Sequence, residues 1–207
     1  MTIRVLLADD QALVRGALAA LLTLESDLEV VGQVGRGDEV VAACRACTPP
    51  PDVVLMDVEM PGMDGLAATA ELRRAMPAVK VLIVTTFGRP GFLKRAMSSG
   101  AAGFVVKDTP ADELAAAVRR VAAGLRVVDP ALAADSLVLG DSPLTPREAE
   151  VLQAAADGAT VAVIAGRVHL SEGTVRNHLS AVMGKTGAGT RAEAVRVAIA
   201  NGWIVAT

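Results

Sequence analysis

From residue 3 to about residue 122, short apolar runs of strand length alternate with stretches of helical periodicity, and few folds accept such a pattern. The runs Ile3–Ala8, Glu29–Val34, Val53–Met56, Val79–Val84 and Gly103–Val106 show no regular exchange of polar and apolar residues, so each is expected to be buried on both faces. Helical patterns lie near 11–24, 38–47, 65–75, 90–98 and 110–122. Strands hidden on both sides and separated by helices form a parallel sheet. The expectation for residues 1–123 is therefore an α/β domain, a doubly wound five-stranded parallel sheet. With 52% hydrophobic but only 2% aromatic residues, Ala, Val and Leu must fill its core.

The pattern changes after Gly124. Asp129-Pro130 reads as an N-cap and first helical residue, opening a short helix that fades by Gly140 within a linker spanning 124–142, with Asp141-Ser142-Pro143 as the seam. Residues 143–207 read as an all-α four-helix domain. Thr145-Pro146-Arg147-Glu148 and Thr190-Arg191-Ala192-Glu193 are capping boxes, Thr160 opens a short helix to about Val168, and Ser171 caps another to about Lys185. Charge follows the same division: 14 Lys and Arg against 18 Asp and Glu up to residue 141, net −4, then 6 against 5, net +1.

No apolar run approaches the roughly 18 residues of a membrane span, and Asp9-Asp10 interrupts the first one. No membrane association and a cytoplasmic location are expected. Cys44 and Cys47 form a C-x-x-C, but no other cysteine exists, both histidines are far off in the tail, and the pair closes a helical stretch rather than opening one. It is read as structural.

In an open parallel sheet, ligands bind beyond the carboxyl ends of the strands. Those ends carry Asp9-Asp10, Asp57, Thr85-Thr86 and Lys107. Two carboxylates at about 4 Å repel by roughly 4 kcal/mol at an effective dielectric of 20, so such a cluster must protonate or hold a cation. All-oxygen ligands suit Mg²⁺. Lys107 and Thr85 match a tetrahedral oxyanion instead, as counter-charge and hydroxyl donor, and Asp57 can attack phosphorus as a carboxylate nucleophile. Capping of the next helix accounts for any one of these aspartates, but not for all of them together with a lysine.

These residues resemble the receiver domain of two-component response regulators, whose fold is flavodoxin-like. The resemblance rests on Asp9-Asp10, on Val53-Val54-Leu55-Met56-Asp57 followed by Met60-Pro61-Gly62-Met63-Asp64-Gly65, and on Thr85, Phe104 and Lys107 in order. It implies that Asp57 accepts a phosphoryl group from a sensor histidine kinase. Mg²⁺ would be held by Asp10, Asp57 and the backbone carbonyl of Glu59, with Asp9 assisting through water. Thr85 and Phe104 would form a switch pair. Asp108 stands where many receivers have proline.

In the tail, a wheel at 100° per residue puts Val175, Leu179, Val182 and Met183 on a core side and Gly173, Asn177, Ser180 and Gly184 opposite, with Arg176 and Lys185 on the flanks. The helix from Thr160, the turn His169-Leu170-Ser171 and this helix make a helix-turn-helix; geometry alone leaves open a packing unit or a major-groove reader. Leu144-Thr145-Pro146-Arg147-Glu148-Ala149-Glu150-Val151-Leu152 and Leu170-Ser171-Glu172-Gly173-Thr174-Val175-Arg176-Asn177-His178-Leu179 resemble the LuxR-type helix-turn-helix, and with a receiver in front the chain is similar to the NarL/FixJ family. The resemblance implies base or phosphate contacts by Arg176, Asn177 and Ser180, and a backbone contact by Lys185; His178 is expected to be a packing residue. Where relatives often carry lysine, this chain has Val161-Ala162-Val163, with Val161 and Val163 expected on the surface. Few cations imply weak binding per monomer.

The combined expectation is a DNA-binding transcriptional regulator, not an enzyme, which dimerises on phosphorylation of Asp57 and binds double-stranded promoter DNA, with RNA polymerase as a further partner. Two rivals stand beside it. One is a Mg²⁺-dependent aspartyl-phosphate phosphatase, with Glu59 offered as its acid. The other is a receiver whose tail serves protein–protein interaction.

Overall fold

The computed structural model describes residues 2–86, 88, 90–130, 132–134 and 142–205. The chain divides into two compact units, with the main changeover after Ala134. In the first, β1 (Ile3–Ala8), α1 (Ala12–Thr23), β2 (Leu28–Val34), α2 (Val40–Ala46), β3 (Val53–Met56), α3 (Gly65–Ala75), β4 (Lys80–Thr85), α4 (Pro90–Ser99), β5 (Gly103–Val106), α5 (Ala111–Ala122) and β6 (Val127–Val128) follow in order. All strand pairs are parallel, in the spatial order β2-β1-β3-β4-β5-β6.

The sheet has six strands rather than the expected five. Val127 and Val128 pair with Gly103 and Phe104 inside the stretch read as linker. Two residues are too few for a periodic signal, and only β5 beside them makes them a strand. The helix expected to open at Asp129-Pro130 is present at Pro130 and at 132–134, with the Leu132 N–H donating to Asp129 Oδ1 at 2.9 Å. Its fading by Gly140, and Asp141 of the seam, lie outside the described residues.

β1, β3 and β4 are buried as their composition requires: Val5, Leu6, Leu7 and Ala8 expose at most 1%, and Val53–Met56 at most 2%. Each buried Val, Leu or Met among them contributes about 1.5–3 kcal/mol relative to exposure. β2 departs from the expectation, because it is an edge strand and both Glu29 and Gln33 reach solvent. Helix α5 carries its apolar stripe, Leu114, Ala115, Val118 and Val121, onto the same core. Arg119 on α5 clasps Asp27 at 2.6 Å and Glu25 at 2.5 Å in the turn after α1.

The second unit holds α6 (Pro146–Ala154), α7 (Val161–Arg167), α8 (Glu172–Thr186) and α9 (Arg191–Ala200). Val151, Leu152, Ile164, Val175, Val182, Ala194, Ala198 and Ile204 form its centre, each at most 1% exposed. The Thr145 capping box closes in both directions, whereas at α9 only half of one forms. Thr190 accepts from the Glu193 N–H at 3.1 Å, but the Glu193 carboxylate takes the Gly189 N–H at 2.9 Å. The more extended Thr190 backbone, φ −139° against −68° at Thr145, brings the preceding N–H within reach instead. Gln153 clasps Val205 through two bonds, of 3.0 and 2.8 Å, which seats Ile204 in the core.

Candidate phosphoacceptor site and recognition helix

The strand order reverses between β2-β1 and β1-β3, so the crevice of this sheet opens beside β1 and β3. The first residues past those strands are Asp9 and Asp57. Backbone bonds extend the ladder just far enough to fix them: Asp9 N donates to the Val34 carbonyl at 3.1 Å, Asp57 N to Ala8 at 2.8 Å and Lys107 N to Thr85 at 2.8 Å. Two glycines then bring the next loop close. A Cβ on Gly65 would lie 1.7 Å from the Asp57 carbonyl oxygen, and one on Gly37 would lie 2.0 Å from that of Met63, so neither position admits a side chain.

Lys107 Nζ sits 2.7 Å from Asp57 Oδ2 and 2.8 Å from Asp9 Oδ2. The other Asp57 oxygen accepts the Val58 N–H at 2.7 Å, and the other Asp9 oxygen the Gln11 N–H at 2.9 Å. Asp9 and Asp57 are each 3% exposed, and Asp10 stands in solvent beside them. Burial pushes the Asp57 carboxyl up to about 6; Lys107 opposes the rise and Asp9 adds to it. Burial also works against the Lys107 charge, but the two carboxylates outweigh it and hold the ammonium above the ordinary lysine range.

One oxygen from each of Asp9, Asp10 and Asp57 can be chosen so that the three lie within 4.8 Å of one another. Among the described residues, three carboxylates meet the Lys107 ammonium and, at the Asp9 carbonyl, the Arg15 guanidinium, which leaves a net negative charge, and all the carboxylate donors are hard oxygens. That donor set fits a small divalent cation such as Mg²⁺. Glu59, two residues past Asp57, has Oε1 buried without a hydrogen-bond partner among the described residues. Thr85 ends β4 and is 2% exposed; Phe104 on β5 is fully buried. Ile83 pairs with Phe104 and Thr85 with Val106, so strand alternation sets Thr85 and Phe104 on one face.

Sequence reasoning missed Arg15 here and gave Asp64 and Gly65, although within the quoted motif, no role. Arg15 on α1 hydrogen-bonds the Asp9 carbonyl through Nη1. Asp64 caps α3, accepting the Ala67 N–H at 2.7 Å. Gly65 admits the close approach just described. The D-G pair before a helical pattern signals the last two, while nothing in sequence announces a contact folded back like that of Arg15. Cys44 is fully buried, its thiol pushed up to about 12 by burial and then by Cys47, as befits a structural residue.

In the second unit, His169 takes a left-handed φ of 52° in the turn between α7 and α8, and Leu170 N bonds back to the Ala165 carbonyl at 3.0 Å. Val175, Leu179 and Val182 of α8 are buried, and Gly173, Arg176, Asn177, Ser180 and Gly184 are exposed along the other side. His178 is half-buried. Val163 is exposed as expected, but Val161 packs partly against the core.

Both cations expected on α8 are already engaged. Arg176 Nη2 lies 2.6 Å from Glu172 Oε2. Lys185 Nζ lies 2.7 Å from Oε2 of Glu148, which is 6% exposed. The first partner is legible at i,i+4; the second joins two helices and is not.

The comparisons agree with this geometry. Residues 5–119 match the family model described as response regulator receiver domain, and residues 142–198 the one described as bacterial regulatory proteins, luxR family. The chain is 43% identical to the uncharacterized transcriptional regulatory protein YvfU of Bacillus subtilis strain 168, over 98% of this chain and all of that one. It is 42% identical to the transcriptional regulatory protein DesR of the same organism, over 97% and 98%. Among solved structures, the response regulator ChrA of a heme-sensing two-component system is 33% identical with a TM-score of 0.57, covering 95% of this chain and 96% of that one. Among the described residues no helix is long and apolar enough to cross a membrane. A parallel sheet with an acidic crevice, a helix-turn-helix domain later in the sequence and relatives matched end to end place the chain in the NarL/FixJ family of two-component response regulators, transcriptional regulators that join a receiver to a LuxR-type DNA-binding domain.

Proposed function

We propose that this regulator is switched by phosphorylation of Asp57 and then binds promoter DNA as a homodimer, with the receiver over 1–123, the linker over 124–142, whose β6 joins the receiver sheet, and the DNA-binding domain over 143–207. The observation that carries the reading is Lys107 Nζ placed between Asp57 and Asp9 at the crevice of the sheet. An Asp57 oxygen attacks the phosphorus of a phosphohistidine on a sensor kinase. The P–O bond forms as the P–N bond breaks, and the imidazole nitrogen keeps the electron pair and takes up a proton. Lys107 balances the new charge. Asp10, Asp57 and the Glu59 carbonyl would hold Mg²⁺, with Asp9 acting through water; a bound Mg²⁺ supplies positive charge to the phosphoryl oxygens. Thr85 then turns its hydroxyl to the phosphoryl group; Phe104, expected to turn inward as its switch partner, is already fully buried here.

The dimer reading rests on α1. Leu13 and Leu24 are 87% and 82% exposed, and Ala17 and Ala20 between them also face solvent. These four fall on one stripe, and the stripe is symmetric about its midpoint. Laid antiparallel against a second copy, Leu13 meets Leu24 and Ala17 meets Ala20, as a two-fold contact requires. On DNA, Arg176, Asn177 and Ser180 of α8 would face the major groove.

Labelling with acetyl phosphate and Mg²⁺ tests the core of this proposal. One phosphate per chain is expected, absent from Asp57→Ala, and sedimentation should show a dimer in the labelled wild type but not in labelled Leu13→Asp. Undiminished labelling of Asp57→Ala overturns the site, and a dimeric Leu13→Asp overturns the face.

A further inference from the structure

Helix α8 carries three charged residues, Glu172, Arg176 and Lys185. Lys185 is committed to Glu148, which leaves one carboxylate and one guanidinium on the exposed ridge, 2.6 Å apart with side chains 49% and 62% exposed. The ridge that would meet DNA is thus electrically neutral.

We infer that Glu172 is the specificity-determining residue of this helix: it keeps Arg176 from the phosphate backbone and holds its free edge for guanine. The inference rests on the DNA-binding reading above. A guanidinium has five N–H donors, and the contact with Glu172 is made through Nη2 alone. Two parallel donors therefore remain for the O6 and N7 acceptors of guanine, and the Arg176–Glu172 contact need not break. A phosphate must instead bring a negative charge up to a carboxylate.

Glu172 has a second effect of the same sign. It is the first residue of α8, next to the cap Ser171, where unpaired N–H groups and the helix dipole attract anions. A carboxylate there makes that end a poor phosphate site. Sequence-independent attraction is weakened at two points by one side chain, while the uncharged base edge is not penalised.

The test compares full-length phosphorylated wild type, Glu172→Gln, Glu172→Ala and Arg176→Ala. The probes are a duplex selected by the wild type from a random-sequence library and a scrambled duplex of the same composition, titrated across a salt series. Glu172→Gln should bind the scrambled duplex about three- to tenfold more tightly, with a salt slope steeper by about one. Affinity for the selected duplex should rise less, so discrimination falls. Glu172→Ala should also relax the guanine preference at one position per half-site.

A Glu172→Gln protein whose scrambled-duplex affinity and salt slope equal the wild type's overturns the inference. So does equal weakening on both duplexes with a lowered melting temperature, which marks a residue that only stabilises α8. Arg176→Ala separates the failures: if it binds the selected duplex like wild type, α8 is not the reading helix and the DNA proposal falls too.

Discussion

Lys185 separates two accounts of one residue. The family resemblance makes it a contact to the DNA backbone, whereas the structure ties it to the buried carboxylate of Glu148 on α6. Lys185→Gln leaves that carboxylate with the Thr145 N–H, at 2.7 Å, and without its counter-charge. Exposed ion pairs contribute about 0.2–1 kcal/mol and breaking a fully buried one costs about 3–5 kcal/mol. Glu148 is buried but the Lys185 side chain is 36% exposed, so the cost falls between these, at about 1–2 kcal/mol. In a domain of this size that lowers the melting temperature by roughly 5–15 °C. The single tryptophan, Trp203, packs against the core of the second unit, so its fluorescence follows that unit within the full chain. The pH dependence has a definite sign. Lys185, and after it the Thr145 N–H, hold the Glu148 carboxyl below its ordinary value. A depressed native pKa stabilises above the unfolded value and ceases to do so as pH falls through the native one, so the gap between wild type and mutant should close in acid. Unchanged melting at neutral pH, combined with a DNA salt slope lower by about one, would refute the clasp and restore Lys185 to the DNA.

Four further outcomes follow from the same geometry. Chelation of divalent ions, or Asp10→Ala, should abolish labelling of Asp57 by acetyl phosphate; full labelling in EDTA argues against the metal role. Asp57→Asn should melt a few degrees above wild type near neutral pH without divalent ions, because burial raises the native pKa to about 6 and the ionised form therefore costs stability. That advantage should shrink as pH falls from about 6 toward about 4, and a constant gap refutes the assignment. Thr85→Ala should still be phosphorylated yet lose phosphorylation-dependent dimerisation, as read by sedimentation. Arg176→Ala should lose about 1–3 kcal/mol of affinity for the selected duplex and relax its preference at one position; equal weakening on all duplexes would make Arg176 a phosphate contact and refute the base-reading role.

Much of this was legible because buried parallel strands write themselves as unbroken apolar runs. Val53–Met56 is such a run, and topology then forces Asp57, at its end, into the crevice. The exposed face of edge strand β2 and the two-residue β6 are not legible for the converse reason, since their state depends on neighbours rather than on their own pattern. The recognition helix shows the same limit. Its buried side follows from periodicity, but the fate of its cations does not, because Glu148 lies 37 residues from Lys185 along the chain. Local pairs such as Glu172 and Arg176 leave a trace in spacing; contacts between helices leave none.

The two glycines around the phosphoacceptor loop have a mechanical consequence. With α3 starting hard against the Asp57 carbonyl at Gly65, and the Met63 carbonyl against Gly37, the segment between is braced at both ends by backbone, which yields far less readily than a flexible side chain. It acts as an abutment. On the phosphorylation proposed above, a group added to Asp57 meets unyielding backbone on that side, and the groups left to adjust are the Thr85 hydroxyl and the Lys107 ammonium across the crevice, whose backbones are joined by the Lys107 N–H to Thr85 carbonyl bond. On that reading the stiff wall leaves the adjustment to the opposite one. Even a methyl group at Gly37 or Gly65 would force backbone apart and shift the loop that carries Asp57.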